Sequence, residues 1–401
     1  MILVHKYGGS SVATVDKIKS IAEHIKKYTQ KGFKMVIVAS AMGKTTNGLI
    51  SLANQVGNNL SKREMDALLS TGEIQTVSLM AMALQNIGVD AISMTGFQSG
   101  FITNNVHSKA FIKEINTEKV EKYLDEGKVV VVAGFQGITE DGHITTLGRG
   151  GSDTTAVAIA AKLGCDCEIY TDVDAVYGVD PRIYPNAKKI HKISYEEMME
   201  MAASGAGVLE TRCVELAKKY NVKLYLGQSL EDLNKKEGTY VMEKNVYFED
   251  MPVTGMGVKG DTAIITFTCK EADPKRVSEI FELISKNTIN LDMINRNIIN
   301  EKAVFSFSCS NHQADEFVAA IENSKMAGNL EYTLEKDLMI VSLVGVGMAT
   351  HTGVAAKVFS TLTENSIPYY QITTSEISIS FTLKPEYKDL AVNALAEVFE
   401  L

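Results

Sequence analysis

The sequence predicts an α/β protein: a three-layer α/β/α domain with a mainly parallel sheet, followed by two small α+β modules. Short apolar runs alternate with helical patterns from residue 1 to about 245, which is typical of a parallel sheet covered by helices. After that point the order strand, helix, strand, strand, helix occurs twice. The chain has 401 residues, 45% of them hydrophobic, so it can form two or three globular domains.

Six buried strands are predicted in the first region, over residues 2–6, 35–39, 91–94, 129–134, 168–171 and 222–226. Between the first two, Val15, Ile18, Ile21 and Ile25 recur at helical spacing and mark one apolar helix face. The clearest later helices are expected around residues 63–86, 153–163 and 211–220. Because strands and helices alternate, we expect helices on both faces of the sheet.

The second region contains an internal repeat. A shift of 78 residues aligns Phe281 with Phe359 and Asn287 with Asn365. Each copy is expected to begin with a hairpin-like pair, 253–258 with 262–269 and 330–335 with 338–344. The second copy ends almost directly after its last helix, so we expect the copies to exchange or share a terminal strand. The predicted domains are residues 1–245, 253–328 and 329–401.

Charge and composition exclude several classes of partner. The chain has 40 basic and 49 acidic side chains, a net charge of −9, and its lysines are spread among acids, which argues against nucleic acid. No apolar stretch is expected to approach the about 20 residues of a membrane span, so we predict a cytoplasmic protein without membrane contact. Cys165 and Cys167 lack a matching pair at zinc-site spacing; they are interpreted as strand residues, with a metal pair as the alternative.

Two early loops are candidates for binding anions. The segment KYGGSS (6–11) joins a strand to a helix, and its glycines allow backbone N–H groups to approach a phosphate beside Lys6; a simple turn is the alternative. Gly43-Lys44-Thr45 resembles the end of a P-loop, but that motif requires glycine where Val38 stands. The polar loop 40–47 still follows a strand, where open α/β sheets usually bind ligands.

The most informative stretch is TTLGRGGSDTTA (145–156). Glycines, an arginine, hydroxyls and an aspartate precede an apolar helix, so amides, a guanidinium and the helix dipole can converge on anions. Ser152 or Asp153 is also expected to serve as a helix N-cap. The loop TDVDAVYGVDPR (171–182) follows another strand and could hold a nucleotide or form a surface turn.

Taken together, KYGGSS, STGE (70–73), LGRGGSDTTA (147–156) and TDVD (171–174) resemble the aspartokinase family of the amino-acid kinase superfamily. The tail repeat resembles that family's tandem ACT domains, which are ferredoxin-like. The resemblance covers essentially the whole chain, and the length fits the single-function form. It implies phosphorylation of the L-aspartate side-chain carboxylate by ATP with Mg²⁺, giving 4-phospho-L-aspartate, the first step toward lysine, threonine and methionine.

The same resemblance implies a role for individual residues. The catalytic group would be Lys6, Gly8, Gly9 and Asp153. Substrate would contact Thr46, Glu73, Arg149 and Ser152. The nucleotide would contact Ser10, Thr171, Asp172, Tyr177, Asp180, Arg182 and Lys188. No protein ligands for a metal are expected, because Mg²⁺ would be held through the ATP phosphates.

The tail is expected to bind an amino-acid effector, with lysine the first choice and threonine a further candidate. The residues expected near the effector are Asp292, Met348, Ser375 and Glu376. No role is assigned to His351. ACT modules generally pair across subunits, so a homodimer or a dimer of dimers is predicted. Two alternatives stay open: a sister enzyme such as glutamate 5-kinase or acetylglutamate kinase, and a non-catalytic amino-acid sensor.

Overall fold

The computed structural model describes residues 1–401 except 232–233, 244–251, 271–273, 300–301, 325–330 and 350. The predicted domain limits at 245, 328 and 329 lie outside the described residues, as do Leu330 and Thr350 of the repeat. The chain forms two compact units. The first, called the catalytic unit after its expected role, comprises Met1–Tyr177, Lys189–Ala203 and Gly207–Phe248. The second, called the regulatory unit for the same reason, comprises Gly178–Lys188, Ser204–Ala206 and Glu249–Leu401.

The catalytic unit alternates strands and helices. Its first half contains β1 (Ile2–Tyr7), α1 (Val15–Gln30), β2 (Lys34–Ala39), α2 (Thr45–Val56), α3 (Lys62–Asn86), β3 (Ala91–Met94), β4 (Phe101–Thr103), β5 (Ile112–Ile115) and α4 (Glu118–Asp125). Its second half contains β6 (Val129–Ala133), β7 (Gln136–Thr139), β8 (Ile144–Thr146), α5 (Gly151–Leu163), β9 (Cys167–Thr171), β10 (Val176–Tyr177), β11 (Lys189–Ile190), β12 (Lys192–Ile193), α6 (Tyr195–Ala203), α7 (Thr211–Tyr220), β13 (Leu224–Gln228) and β14 (Thr239–Val241).

The main sheet confirms the predicted parallel core. Its strand order is β12-β14-β13-β9-β1-β2-β6-β3, and the six predicted strands, β13, β9, β1, β2, β6 and β3, run parallel to one another. β14 adds the antiparallel pairing, against β13. In such a sheet the strands' carboxyl ends share one edge, which therefore gathers the loops after β1, β2, β6 and β9.

The two faces of β1 pack against different helices. Leu3 and Tyr7 join a core with Ile18 and Ile21 of α1 and with residues of α3. Because strand side chains alternate, Lys6 points to the opposite face, where α5 contacts β1. His5 shares the first face, and its Nε2 lies 3.2 Å from the Glu168 carboxylate. Burial lowers the pKa of His5, which therefore stays neutral near pH 7.

Two features of the catalytic unit depart from the sequence-based expectations. A second sheet, ordered β5-β4-β7-β8, was not predicted, because its strands are three or four residues long and partly polar. Among the described residues, the helix α3 is long and apolar enough to cross a membrane by length and composition, so the expectation that no segment reaches this limit is wrong. Half of its apolar window is buried in the unit, where Val77, Met80 and Leu84 are core residues.

The regulatory unit is built on one six-stranded sheet with the order β16-β17-β15-β18-β20-β19, antiparallel throughout. Its elements are β15 (Gly255–Lys270), α8 (Pro274–Lys286), β16 (Ile294–Ile299), β17 (Lys302–Ser310), α9 (Asn311–Glu322), β18 (Glu331–Val344), α10 (Val354–Glu364), β19 (Ile372–Thr374), β20 (Ser378–Leu383) and α11 (Lys388–Val398). Short 3₁₀ turns lie at Val346–Ala349 and Pro385–Tyr387.

The predicted hairpins at the start of each copy are wrong. Residues 255–270 form one long strand, β15, which pairs along most of its length with the equally continuous β18. Between the ranges expected to form the hairpins, Asp261 and Asp337 adopt φ of +56° each, and the register shifts around residues 259–264. A β-bulge thus lies where a turn was expected.

Each long strand serves both halves of the sheet. In the module with α8 and α9, residues 262–270 of β15 pair with β17 on one side, and residues 264–268 pair with 331–335 of β18 on the other. In the module with α10 and α11, residues 339–344 of β18 pair with β20, and residues 255–259 of β15 pair on the other side of that segment. The strand that completes the carboxyl-terminal module therefore precedes the first module in sequence.

Candidate active site

A polar cavity of about 310 Å³ lies in the catalytic unit where the loops after β1, β2, β6 and β8 meet. All of the predicted substrate residues line it, together with three of the four predicted catalytic residues: Lys6, Gly9, Thr46, Glu73, Arg149, Ser152 and Asp153. Residues from positions 6 to 153 therefore share one pocket. A ligand with several charges would meet both signs of charge within that space.

A buried ion pair forms the floor of the cavity. Lys6 Nζ lies 2.5 Å from Asp153 Oδ1, and each residue is 8% exposed. Asp153 stands in the first turn of α5, whose N-cap is Gly150 with φ of +64°. The N-cap expected at Ser152 or Asp153 is therefore wrong: both lie inside the helix, and their side chains are left for the cavity. The positive end of the helix dipole faces the same region.

The turn after β1 approaches the loop after β2 very closely. The Gly43 N–H donates to the Gly9 carbonyl oxygen over 2.9 Å, and a Cβ at Gly9 would lie 2.9 Å from the Ala41 carbonyl oxygen. Gly9 is thus required for this packing and lines the cavity. The Gly8 N–H instead donates to Tyr170 O over 3.1 Å, which extends the β1–β9 pairing. The amide role predicted for Gly8 is therefore not supported by this geometry.

Glu73 carries a buried carboxylate that is only partly hydrogen-bonded. It lies in the middle of α3 and is 3% exposed. Its Oε1 accepts the Ala41 N–H over 3.1 Å, whereas Oε2 has no hydrogen-bond partner among the described residues. Burial raises the pKa of Glu73 to about 7, although the Ala41 hydrogen bond opposes the shift. A cation bound in the cavity would restore the ionised form.

Arg149 supplies the complementary charge. It lies on the exposed turn between Gly148 and Gly150, which have φ of +82° and +64°, and no ion pair to it is found within the described part of the chain. Ser152 is buried beside Gly134, where a Cβ would lie 2.6 Å from its Oγ. Guanidinium and hydroxyl groups of this kind bind carboxylates well.

A second cavity of about 240 Å³ lies on the other side of the turn after β1. It is lined by the predicted nucleotide residues Ser10, Thr171 and Asp172, together with Ser11 and Gln228. Tyr177, also predicted for the nucleotide, donates its hydroxyl to Asp174 over 3.0 Å. Asp174 pairs with Lys189 at 2.6 Å in a neighbouring cavity of about 270 Å³ that Gln228 also lines. The turn 8–11 therefore separates a charged pocket from a more neutral one.

The remaining predicted nucleotide residues belong to the regulatory unit. Asp180 and Arg182 form a two-pronged ion pair, with Arg182 Nη2 2.7 Å from Asp180 Oδ2. Lys188 lies 3.6 Å from Glu400 in the same unit. Their predicted role with the nucleotide stays a prediction.

The predicted effector residues all lie in the regulatory unit. Asp292 pairs with Lys259 of β15 at 2.8 Å. The Ser375 and Ser378 hydroxyls are 2.8 Å apart in the β19–β20 turn, where Glu376 is exposed. Met348 packs against the core of the module with α10 and α11. His351 Nδ1 lies 2.9 Å from Gly347 O.

Sequence reasoning missed three residues around the charged cavity. Asp66, fully buried on α3, accepts hydrogen bonds from the Ser108 N–H and the Thr146 hydroxyl. Arg212 on α7 donates to two backbone carbonyl oxygens. Phe135, between β6 and β7, lines the cavity with φ of +71°, a conformation that is costly for a bulky side chain and recurs at functional sites. Asp66 could have been found, since it precedes Glu73 by two helical turns and so shares its face.

Comparison with known proteins agrees with this geometry. The model of the amino acid kinase family matches residues 1–228, and a model of the ACT domain matches residues 341–399. An amino-acid kinase domain with a regulatory ACT sheet is therefore the class of protein that the fold and the cavity define.

Full-length relatives narrow the assignment. An aspartokinase of Bacillus sp. (strain MGA3) is 44% identical, over 100% of this chain and 97% of the relative. Aspartokinase III of E. coli, solved with aspartate and ADP in an R-state, has a TM-score of 0.85 at 22% identity, with 100% of both chains covered. The same enzyme solved with lysine and aspartate in a T-state has a TM-score of 0.74 at 22% identity, covering 99% of each chain. This chain belongs to the aspartokinase family, and kinases of this family use a nucleotide.

Proposed function

We propose that this enzyme transfers the γ-phosphoryl group of ATP to the side-chain carboxylate of L-aspartate, forming 4-phospho-L-aspartate. The observation that carries the proposal is the charged cavity, in which Glu73 and Arg149 have open valences beside the Lys6–Asp153 pair. L-Aspartate presents one ammonium and two carboxylates, and the cavity offers groups complementary to each.

The chemistry requires positioning more than proton transfer. A side-chain carboxylate with an ordinary pKa near about 4 is ionised at neutral pH and needs no general base. Two anions must instead be brought in line while charge on the transferring group is stabilised. Lys6 would contact the transferring phosphoryl group, and Asp153 would hold the lysine. Glu73 would bind the substrate ammonium, whereas Arg149, Ser152 and Thr46 would bind its carboxylates.

The nucleotide would cross the turn after β1. Its phosphates would lie near Gly9 and the amino end of α5, and its nucleoside would occupy the cavity at Thr171 and Asp172. This arrangement is supported because residues 9 and 10 of one turn line the two cavities. Asp180, Arg182 and Lys188 are proposed to contribute from the loop that follows Tyr177.

Mg²⁺ is proposed as the metal of the reaction. Among the described residues, no group of three or more His, Cys, Asp or Glu side chains could hold a metal ion. Mg²⁺ that accompanies a nucleotide is usually held by phosphate oxygens and water, so we propose that it would enter the cavity with ATP. Bound there, the ion would neutralise phosphate charge, while Lys6 and the α5 amino end supply the protein's share.

The ACT sheet is proposed to make the enzyme subject to feedback inhibition by an amino acid, lysine first and threonine as the further candidate. The T-state structure of E. coli aspartokinase III holds lysine, and ACT domains of this family suggest effector binding. We further propose assembly through the ACT sheets into a homodimer or a dimer of dimers, and a cytoplasmic location.

An ADP-release assay tests this function. The purified protein is assayed with ATP, Mg²⁺ and L-aspartate, with L-glutamate and N-acetyl-L-glutamate as competing substrates, and with Lys6→Ala as the blank. We expect turnover with aspartate alone, reduced by lysine. Turnover with glutamate or N-acetylglutamate instead would assign a sister kinase. Amino-acid binding without any ADP release would assign a sensor.

A further inference from the structure

The turn that carries Arg149 is held by a residue outside the cavity. Residues 147–151 contain three glycines, two of them at positive φ, so the turn has little conformational preference of its own. An arginine on such a turn binds a carboxylate well only if its backbone is fixed elsewhere.

Arg212 provides that fixation. It is the second residue of α7, and its two terminal nitrogens reach two different segments: Nη1 donates to Leu147 O over 3.0 Å and Nη2 donates to Ala110 O over 3.1 Å. The Ala110 N–H in turn donates to Thr146 O over 2.9 Å. One guanidinium therefore joins both segments immediately before the glycine turn.

Its neighbour Glu210 limits the same turn from one side. Gly150 stands so close to Glu210 that a Cβ there would lie 2.0 Å from the Glu210 Cγ. The start of α7 thus contacts the turn at Leu147 and at Gly150, on both sides of Arg149. The planar fork of Arg212 suits this task, since a lysine has no fixed geometry with which to span two carbonyl oxygens.

We propose that Arg212 is a positioning residue for aspartate: by binding the carbonyl oxygens of Leu147 and Ala110, it fixes the turn from which Arg149 contacts the substrate carboxylate. The inference rests on the proposed function, because aspartate is its ligand. It predicts that loss of Arg212 affects aspartate binding selectively, whereas a general structural defect would affect both substrates.

The test combines a substitution with chemical rescue. The guanidinium carbon of Arg212 lies 4.9 Å above the ring of Phe111, which is 60% exposed, so the space vacated in Arg212→Ala is open to solvent. We expect Arg212→Ala to raise the KM for aspartate at least tenfold and to leave the KM for ATP within twofold. Millimolar guanidinium chloride should restore much of the loss, whereas equal sodium chloride should not.

Two controls make the outcome decisive. Lys219→Ala removes an exposed charge from the same helix and should leave both KM values unchanged. Arg212→Lys keeps the charge without the fork and should raise the KM for aspartate even if Arg212→Ala does not fold. An unchanged KM for aspartate in Arg212→Lys, or equal rises for both substrates without rescue, would overturn the proposal. Absence of aspartate turnover in the unmodified enzyme would instead refute the proposed function.

Discussion

The residues proposed to bind aspartate in the catalytic cavity and the acid proposed to bind an effector in the regulatory sheet differ in whether they already have a partner. In the cavity, Glu73 Oε2 is buried without a hydrogen-bond partner from the described residues, and Arg149 lies on its exposed turn. In the sheet, Ser342 pairs with Ser380 at 2.7 Å and Lys259 pairs with Asp292 at 2.8 Å, although the buried amide of Gln371 has no side-chain partner among the described residues. A polar ligand can therefore reach Glu73 and Arg149 without displacing a partner of theirs, whereas an effector at Asp292 must displace Lys259.

This difference separates two kinds of sensitivity. Buried polar groups that lack a hydrogen-bond partner reduce stability, and they are retained where a ligand supplies that partner. Self-paired groups contribute to stability and respond only to a competitor. Substitutions in the cavity should therefore change catalysis more than stability, and substitutions in the sheet should change stability or inhibition with unchanged turnover.

The largest expected effect is at Lys6. Lys6→Met should reduce kcat at least about 10³-fold, because the cation nearest the transferring charge is lost. This variant also leaves Asp153 buried without its partner, which costs stability. The double variant Lys6→Met/Asp153→Asn removes both charges, and we expect it to remain inactive with a melting temperature close to that of the parent. Recovery of turnover in the double variant would remove the ion pair from the mechanism.

Substitution of Glu73 should lower activity and raise stability. Since burial raises the pKa of Glu73 to about 7, the free enzyme holds a proton there at pH 6 and loses it by pH 8. Binding the aspartate ammonium requires the ionised form, so kcat/KM for aspartate should rise as pH increases through about 7. Glu73→Gln should lose this pH dependence and raise the KM for aspartate at least tenfold.

The same substitution should stabilise the protein at pH 8. A folded-state pKa above the usual 4.5 means that the folded protein binds this proton more tightly than the unfolded chain. Its contribution to stability is therefore present below pH 4.5 and is lost as pH rises through about 7. Glu73→Gln avoids that loss, so its free energy of unfolding at pH 8 should exceed that of the parent by at most about 3 kcal/mol. Urea unfolding at pH 5 and pH 8 measures this, and equal stability of Glu73→Gln and parent at pH 8 would contradict it.

The sequence predicted most of this arrangement, for reasons that can be stated residue by residue. The six parallel strands are continuous apolar runs, so their pattern is visible without the fold. Lys6 and Asp153 were brought together correctly because one lies near the carboxyl end of a parallel strand and the other at a helix start, and Arg149 lies on the turn directly before that helix. The burial of Glu73 was not visible, since it depends on α3 passing beneath the loop after β2.

What the sequence could not show depends on backbone contacts. Arg212 acts through two carbonyl oxygens, which every residue possesses, so no sequence pattern marks its partners. The amide of Gly8 was assigned to the phosphoryl group, but the pairing of β1 with β9 extends one residue further and uses it. The hairpin turns were expected between residues 258 and 262 and between 335 and 338, where Asp261 and Asp337 lie in continuous strands instead, because bulges and turns favour the same residue types.

The loop 178–188 belongs to the regulatory unit but lies in sequence between two stretches of the catalytic unit. A substitution in this loop should change the KM for ATP and the stability by an intermediate amount. Val179, 2% exposed, packs in the regulatory core with Phe399 and Leu401, and the Met256 N–H donates to Gly178 O over 2.6 Å. The proposed nucleotide residues Asp180 and Arg182 follow directly. Val179→Ala should cost about 1–2 kcal/mol of stability and raise the KM for ATP several-fold, with the KM for aspartate unchanged.

The matched control for that segment lies in the other ACT module. Val277 packs against the core of the module with α8 and α9, whose described members all come from residues 263–334. Val277→Ala should lower stability to a similar degree without changing the KM for ATP. Equal effects of the two variants on ATP would mean that the loop 178–188 does not connect regulation with the nucleotide.

The smallest expected effect is at Lys259 and Asp292. The direction in which each substitution shifts the lysine concentration for half-inhibition identifies the effector contact. The Lys259 side chain is 39% exposed and the Asp292 side chain is 33% exposed, so their pairing contributes at most about 1 kcal/mol. The melting temperature should therefore hardly change when the pair is lost. If Asp292 binds an effector ammonium, Lys259 competes with it. Lys259→Met should then lower the lysine concentration for half-inhibition several-fold, and Asp292→Asn should raise it, with kcat unchanged in both. Shifts in the same direction would place the effector elsewhere in the sheet.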